Sequence, residues 1–184
     1  MEPSDIRTRQ ELRQWLLSNH STERECLVRC RRGRPPGDGS LWYVDVVEEA
    51  ICFGWIDSTL RSEGDGWVIQ RISPRRKDSG WTERNKERAR RMEHLGLMTD
   101  AGRAALPDMT EDLDTLFPEV MSSIRSIPGL EESMGRLPKA YVRIRLQGIS
   151  QDPSRMGRFV SRTLAGETYG EWSDYGRLEV RPEP

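Results

Sequence analysis

The chain has 184 residues and a mass of 21.3 kDa, enough for one core of ordinary size or a core with a helical appendage, and too little for two large domains. With 29 Lys and Arg against 30 Asp and Glu, and 35% hydrophobic residues, it is neither a globally basic nucleic-acid binder nor an acidic solvating chain. Its apolar runs fall far short of the roughly 18 residues that a bilayer-crossing helix needs. The N-terminal Met1-Glu2-Pro3-Ser4-Asp5 lacks a charged segment followed by an apolar one, so no secretory leader is expected and the cytoplasm is the expected location. Cys26, Cys30 and Cys52 form an odd set in apolar surroundings and read as free thiols of a reducing compartment.

In chain order, Thr8 and Glu11 have capping-box spacing, and Leu12, Trp15 and Leu16 continue an amphipathic helix that should end near Ser18 to Ser21. Glu25 to Arg31 alternates as a half-buried strand, with Cys26, Val28 and Cys30 on one face. Gly33 to Ser40 reads as a loop. Val46, Val47, Ala50 and Ile51 predict a buried helix from about Tyr43 to Phe53, closed by Gly54. Trp55 to Arg61 and Trp67 to Ser73 are strand-like runs joined through Ser62 to Gly66, a hairpin loop somewhat longer than two residues.

Pro74 stops the second of these strands, and a highly charged helix opens near Thr82 and runs through Glu93 to Gly96. Its Glu83, Glu87 and Arg91 stand at helix-pair spacing, which predicts a solvated, ion-paired surface helix. A short helical turn follows from Thr99 to Leu106. Beyond Pro107, Leu113, Leu116, Phe117 and Val120 supply another apolar helical face, and Pro138 to about Leu164 reads as helix with basic residues. Trp172 and Tyr175 precede a Pro-rich tail expected to be loose. The expected fold class is α+β: a small, mostly antiparallel sheet packed with helices in residues 1–106, then a helical module docked on it in residues 107–184.

Charge is uneven along the chain. From Arg61 to Glu93 there are ten basic against six acidic residues, and from Pro107 to Ala140 three against seven. The densest chemistry lies in Cys52-Phe53-Gly54-Trp55-Ile56-Asp57-Ser58, then Arg61, then Gln70-Arg71-Ile72-Ser73-Pro74-Arg75-Arg76, then Trp81-Thr82-Glu83-Arg84-Asn85 with Arg88. This set resembles the YdeI/OmpD-associated family, also called bacteriocin-protection proteins. That family's pattern is CFGWID, a PR pair after a strand, a W-S/T-x-x-N-x-x-R helix start and a G-x-M-T-x-x-G end, here Gly96 to Gly102. The resemblance covers Trp15 to Leu106 and continues more weakly at Leu137, Pro138, Tyr141, Ile149, Arg155 and Arg158, where Gln151 to Arg155 departs from the family's Lys-rich stretch. It implies a bacterial role in stress or antimicrobial resistance, and supplies no reaction, ligand or catalytic residue.

On chemistry alone, Asp57 on a strand beside Arg71 or Arg75 forms either the floor of an arginine-lined pocket for an anion or a pair bracing the hairpin. The pocket reading takes Asp57, Arg61, Arg71, Arg75, Trp81, Asn85 and Arg88 as ligand-binding residues. Trp81 forms a pocket wall or fills a core, and the helix start at Thr82 holds an anion or caps itself. The alternatives are an enzyme with Asp57 as acid or base, and a nucleic-acid or protein interaction module using the basic helix of residues 83–93. Two histidines without partners at ligand spacing, and no CxxC, HExxH or phosphate-loop motif, imply neither metal nor cofactor.

Overall fold

The computed structural model describes residues 4–179, so the Pro-rich tail lies largely outside the described residues. The chain divides into two compact units, one of residues up to Gly80 with Arg88–Pro107, the other of Trp81–Glu87 with the residues from Asp108 onward. The architecture is α+β.

In the first unit, helix α1 (Arg9–Asn19) opens with the full capping box: Thr8 Oγ1 accepts from the Glu11 amide at 3.2 Å, and Glu11 accepts from the Thr8 amide at 3.0 Å. It buries Leu12 and Leu16. Strands β1 (Cys26–Arg31), β2 (Trp55–Gly64) and β3 (Trp67–Pro74) form an antiparallel sheet in the order β1-β3-β2. Cys26, Val28 and Cys30 oppose Ile72, Gln70 and Val68, so all six share the inner face. Helix α2 (Tyr43–Cys52) packs against all three strands there. The β2–β3 turn is tighter than expected from sequence. Gly64 pairs with Trp67, and Asp65 and Gly66 have φ of 48° and 77°, the two positive angles of a two-residue hairpin turn that follows sheet twist.

The apolar periodicity that marks α2 as buried conceals three buried carboxylates on the same helix, Asp45, Glu48 and Glu49. Arg9 reaches all three, at 3.2, 2.6 and 2.7 Å; Arg13 adds a second contact to Glu49 at 2.8 Å and Arg91 one to Glu48 at 2.8 Å. Burial by itself would lower the Arg9 pKa, but the charges of Glu48 and Glu49 outweigh it and hold the guanidinium above its ordinary value. Such a network ties α1 and the charged helix to α2.

Helix α3 (Glu83–His94) is the charged helix, and it is not a solvated one. Glu83, Lys86, Glu87 and Arg88 are all buried. Lys86 pairs with Glu83 at 2.9 Å, Glu87 receives Arg143 at 2.5 Å, and Arg91 turns to Glu48. Distant partners, Arg143 and Glu48, therefore join the pairing along the helix. Helix α4 (Asp100–Ala104) follows, capped by Thr99.

The second unit has its own core of Val120, Met121, Ile124, Leu130, Tyr141, Leu146, Phe159 and Trp172 among others. The apolar face expected around residues 113–120 is split at Pro118 into α5 (Leu113–Leu116) and α6 (Pro118–Arg125), since proline is favoured at a helix start. Helix α7 (Leu130–Gly135), absent from the sequence reading, begins after Gly129 at φ 74°. The long helix expected from Pro138 breaks at Asp152-Pro153 into α8 (Lys139–Gln151), a short 3-10 turn and α9 (Met156–Leu164).

Candidate functional site

One end of the inner sheet face is polar. Asp57 on β2 opposes Ile72 and so shares a face with Gln70 on β3, while Tyr43 stands at the start of α2 above them. Asp57 Oδ2 accepts a hydrogen bond from Gln70 Nε2 at 2.9 Å and another from the Tyr43 hydroxyl at 3.2 Å. The first contact settles the orientation of the Gln70 amide, because only its NH2 end can face a carboxylate. Gln70 Oε1 is then a buried acceptor with no hydrogen-bond donor among the described residues. A native protein rarely leaves such an atom unsatisfied, and a bound molecule or solvent normally supplies the donor.

Arginines stand near this group: the charge of Arg75 acts on Asp57, and those of Arg88 and Arg32 act on Tyr43. Arg75 follows β3, where its amide donates to the Gly54 carbonyl at 2.9 Å and its Nη1 donates to the carbonyls of Gly80 at 2.9 Å and Ser79 at 3.4 Å. Burial draws the Arg75 pKa below its ordinary value, and the charge of Asp57 works in the opposite direction. Burial, reinforced by Asp57, pushes the Tyr43 phenol up to about 12, against the opposing charges of Arg88 and Arg32. The Arg32 guanidinium stands 5.9 Å from the Tyr43 ring centre. At neutral pH Tyr43 is thus a proton-bearing donor to Asp57. Cys30, on the same face, is pushed up to about 12 by burial, with Asp45 and Asp57 adding to the shift; it is a protonated thiol and not a nucleophile.

Of the residues singled out from sequence, Asp57, Arg75 and Arg88 come together here. Arg71 does not: on the opposite face of β3 it donates to Glu25 at 2.6 Å and to Ser58 Oγ at 2.8 Å. Arg61 is exposed on β2, 4.0 Å from Glu63. Trp81 and Asn85 belong to the segment Trp81–Glu87 of the second unit, where Thr82 Oγ1 accepts from the Asn85 amide at 3.2 Å and so caps its own helix. The ligand-binding set read from sequence omits Tyr43 and Arg32, and it omits Gln70 although that residue lies in the dense constellation. Gln70 carried a usable signal, a polar side chain between Val68 and Ile72 on the buried side of a strand.

The basic stretch of α3 gives little to a phosphate backbone, since Arg84 pairs with Glu171 at 3.0 Å and Asp174 at 3.2 Å, and Lys86 and Arg91 are engaged as described. Among the described residues, no group of three or more His, Cys, Asp or Glu side chains is arranged to hold a metal ion, and no helix is long and apolar enough to cross a membrane.

Comparison with curated proteins and with solved structures finds no match. A family model described as a domain of unknown function, DUF8412, matches residues 4–105, a span that contains every residue of the polar cluster from Arg32 to Arg88. Since that span is more than half of the 184 residues, the chain belongs to the DUF8412 family.

Proposed function

We propose that the first unit binds a small anionic metabolite at the Asp57, Gln70, Arg75 and Arg88 cluster, and that this binding serves the bacterial stress or bacteriocin-protection role, in the cytoplasm, that the YdeI/OmpD resemblance implies. The observation that carries the reading is the buried Gln70 Oε1, held without a donor among the described residues beside Asp57, whose charge acts on Arg75. The guanidinium groups suit a carboxylate or phosphate, and Gln70 Oε1 asks for a hydroxyl or N–H on the same molecule. Hydroxy acids, amino acids and sugar phosphates combine the two.

A thermal-shift screen of these classes, followed by calorimetry, tests the reading. A ligand at about a hundred times its Kd adds roughly 2.7 kcal/mol, a shift of roughly 5 to 10 °C for a chain of this length. The shift should vanish in Arg75→Ala and shrink in Gln70→Leu. Absence of a shift with every class would leave the cluster as a brace between α2 and the sheet.

One observation favours a second reading, an enzyme with Asp57 as acid or base. Asp57 Oδ2 takes both hydrogen bonds, which leaves Oδ1 without one among the described residues. Asp57→Asn would then keep binding and lose turnover, whereas in a pure binder it would only weaken binding.

A further inference from the structure

The second unit holds a cleft of about 680 Å³ whose charged lining is entirely basic among the described residues: Arg84, Arg145, Arg155 and Arg158. Thr82 and Tyr169 also face it. Two of the four arginines are neutralised locally, Arg84 by Glu171 and Asp174, and Arg155 by Asp152 at 3.1 Å. Arg145 and Arg158 have no carboxylate partner among the described residues. Instead both guanidinium carbons lie over the Tyr169 ring, 4.4 and 4.6 Å from its centre. Arg145 also donates from Nη2 to the Tyr169 carbonyl, and its Nε is buried without an acceptor.

Two like charges held on one aromatic ring repel, and the ring's negative face offsets only part of that repulsion. A dianion in the cleft that both guanidinium groups reach offsets this repulsion and offers the Arg145 Nε an acceptor. The fork of a guanidinium matches phosphoryl oxygens in pairs. The floor is shaped for close approach: a Cβ on Gly148 of α8 would stand 3.2 Å from Arg155 Nη1, so the glycine lets that guanidinium lie across the helix.

We propose that this cleft binds a phosphorylated small molecule, with Arg145 and Arg158 gripping a phosphoryl dianion and Arg155 and the Thr82 hydroxyl at its edge. The volume is that of a nucleotide-sized ligand. Because the guanidinium groups already cover Tyr169, recognition falls on the phosphoryl group and not on a stacked base. This site involves no residue of the Asp57 cluster.

Calorimetry on the full chain with inorganic pyrophosphate, ADP, adenosine and citrate tests the assignment. Pyrophosphate and ADP should bind within about threefold of each other, and adenosine not at all. Arg158 is exposed and its charge repels that of Arg145, so Arg158→Gln should keep the wild-type circular dichroism with a Tm no lower than wild type, and weaken pyrophosphate at least tenfold. Arg71→Ala, on the outer sheet face of the first unit, should leave pyrophosphate binding unchanged. Three results would overturn the proposal: equal pyrophosphate affinity in wild type and Arg158→Gln, citrate binding as tightly as pyrophosphate, or a single-stranded oligonucleotide displacing pyrophosphate with affinity that falls steeply with salt.

Discussion

Thr99 donates twice to the carbonyl oxygen of Cys52, from its amide at 3.1 Å and from its hydroxyl at 2.6 Å. Cys52 is the last residue of α2, so this carbonyl is one that a helix leaves unsatisfied. The same Thr99 hydroxyl accepts from the Gly102 amide at 3.2 Å and caps α4. Gly54, at φ 72°, ends α2, and a Cβ there would meet Ala101 O at 2.8 Å. The Cys-Phe-Gly-Trp and Met-Thr-x-x-Gly segments therefore interlock and join α2 to α4.

Gly102 is the tightest point of that joint, because a Cβ there would stand 2.2 Å from Cys52 O and 2.6 Å from Met98 Sδ. Backbone cannot give way as a flexible side chain can. Gly102→Ala should cost about 3 kcal/mol in urea unfolding, whereas Gly157→Ala in α9, with nothing within 4 Å, should be neutral or stabilising by up to about 1 kcal/mol.

Arg9→Ala leaves Asp45, Glu48 and Glu49 with a cation removed from their buried network. The expected loss is about 3 to 5 kcal/mol, measured as a fall in urea midpoint with the slope unchanged. Arg9→Lys should recover only part of it, since one ammonium group cannot span contacts that Arg9 makes from both Nε and Nη1.

Alkaline pH should unfold the first unit early. Burial raises the thiol pKa of Cys26, and those of Cys30 and Cys52 to about 12, and Tyr43 also stands at about 12. These groups ionise more readily when unfolded, from 9.0 for the thiols and 10.0 for the phenol. The folded state then binds more protons, so their contribution is complete below about pH 9 and is lost as pH rises towards 12. Urea midpoints at pH 8 and 10.5 check the sign. At pH 8 the native thiols should not react with a thiol reagent until denaturant is added.

Arg71 and Arg75 stand close in sequence and should behave differently. Arg71→Ala removes contacts on the outer sheet face and should change stability by less than about 1 kcal/mol, with no effect on a ligand of the Asp57 cluster. Arg75→Ala should abolish that ligand's thermal shift. Equal effects on the ligand would place its site on the outer face.

Local signals made most of the first unit legible in sequence. The Thr8/Glu11 box, the Cys26/Val28/Cys30 alternation and Gly54 at the end of α2 each act over a few residues, and each stands in the structure where the sequence placed it. Proline breaks at Pro118 and Pro153 were equally local, but the hydropathy around them continued and hid them. The charges were the part that only tertiary structure decided. Arg9 meets Glu48 across 39 residues, and Glu87 meets Arg143 across 56. A carboxylate can be buried only where such a partner arrives, and periodicity says which face a residue occupies without saying what lies opposite. For the same reason the sequence left Arg71 and Arg75 as alternative neighbours of Asp57, and only the packed structure turned Arg71 to Glu25, set Tyr43 beside Asp57 and left Gln70 Oε1 without a donor among the described residues.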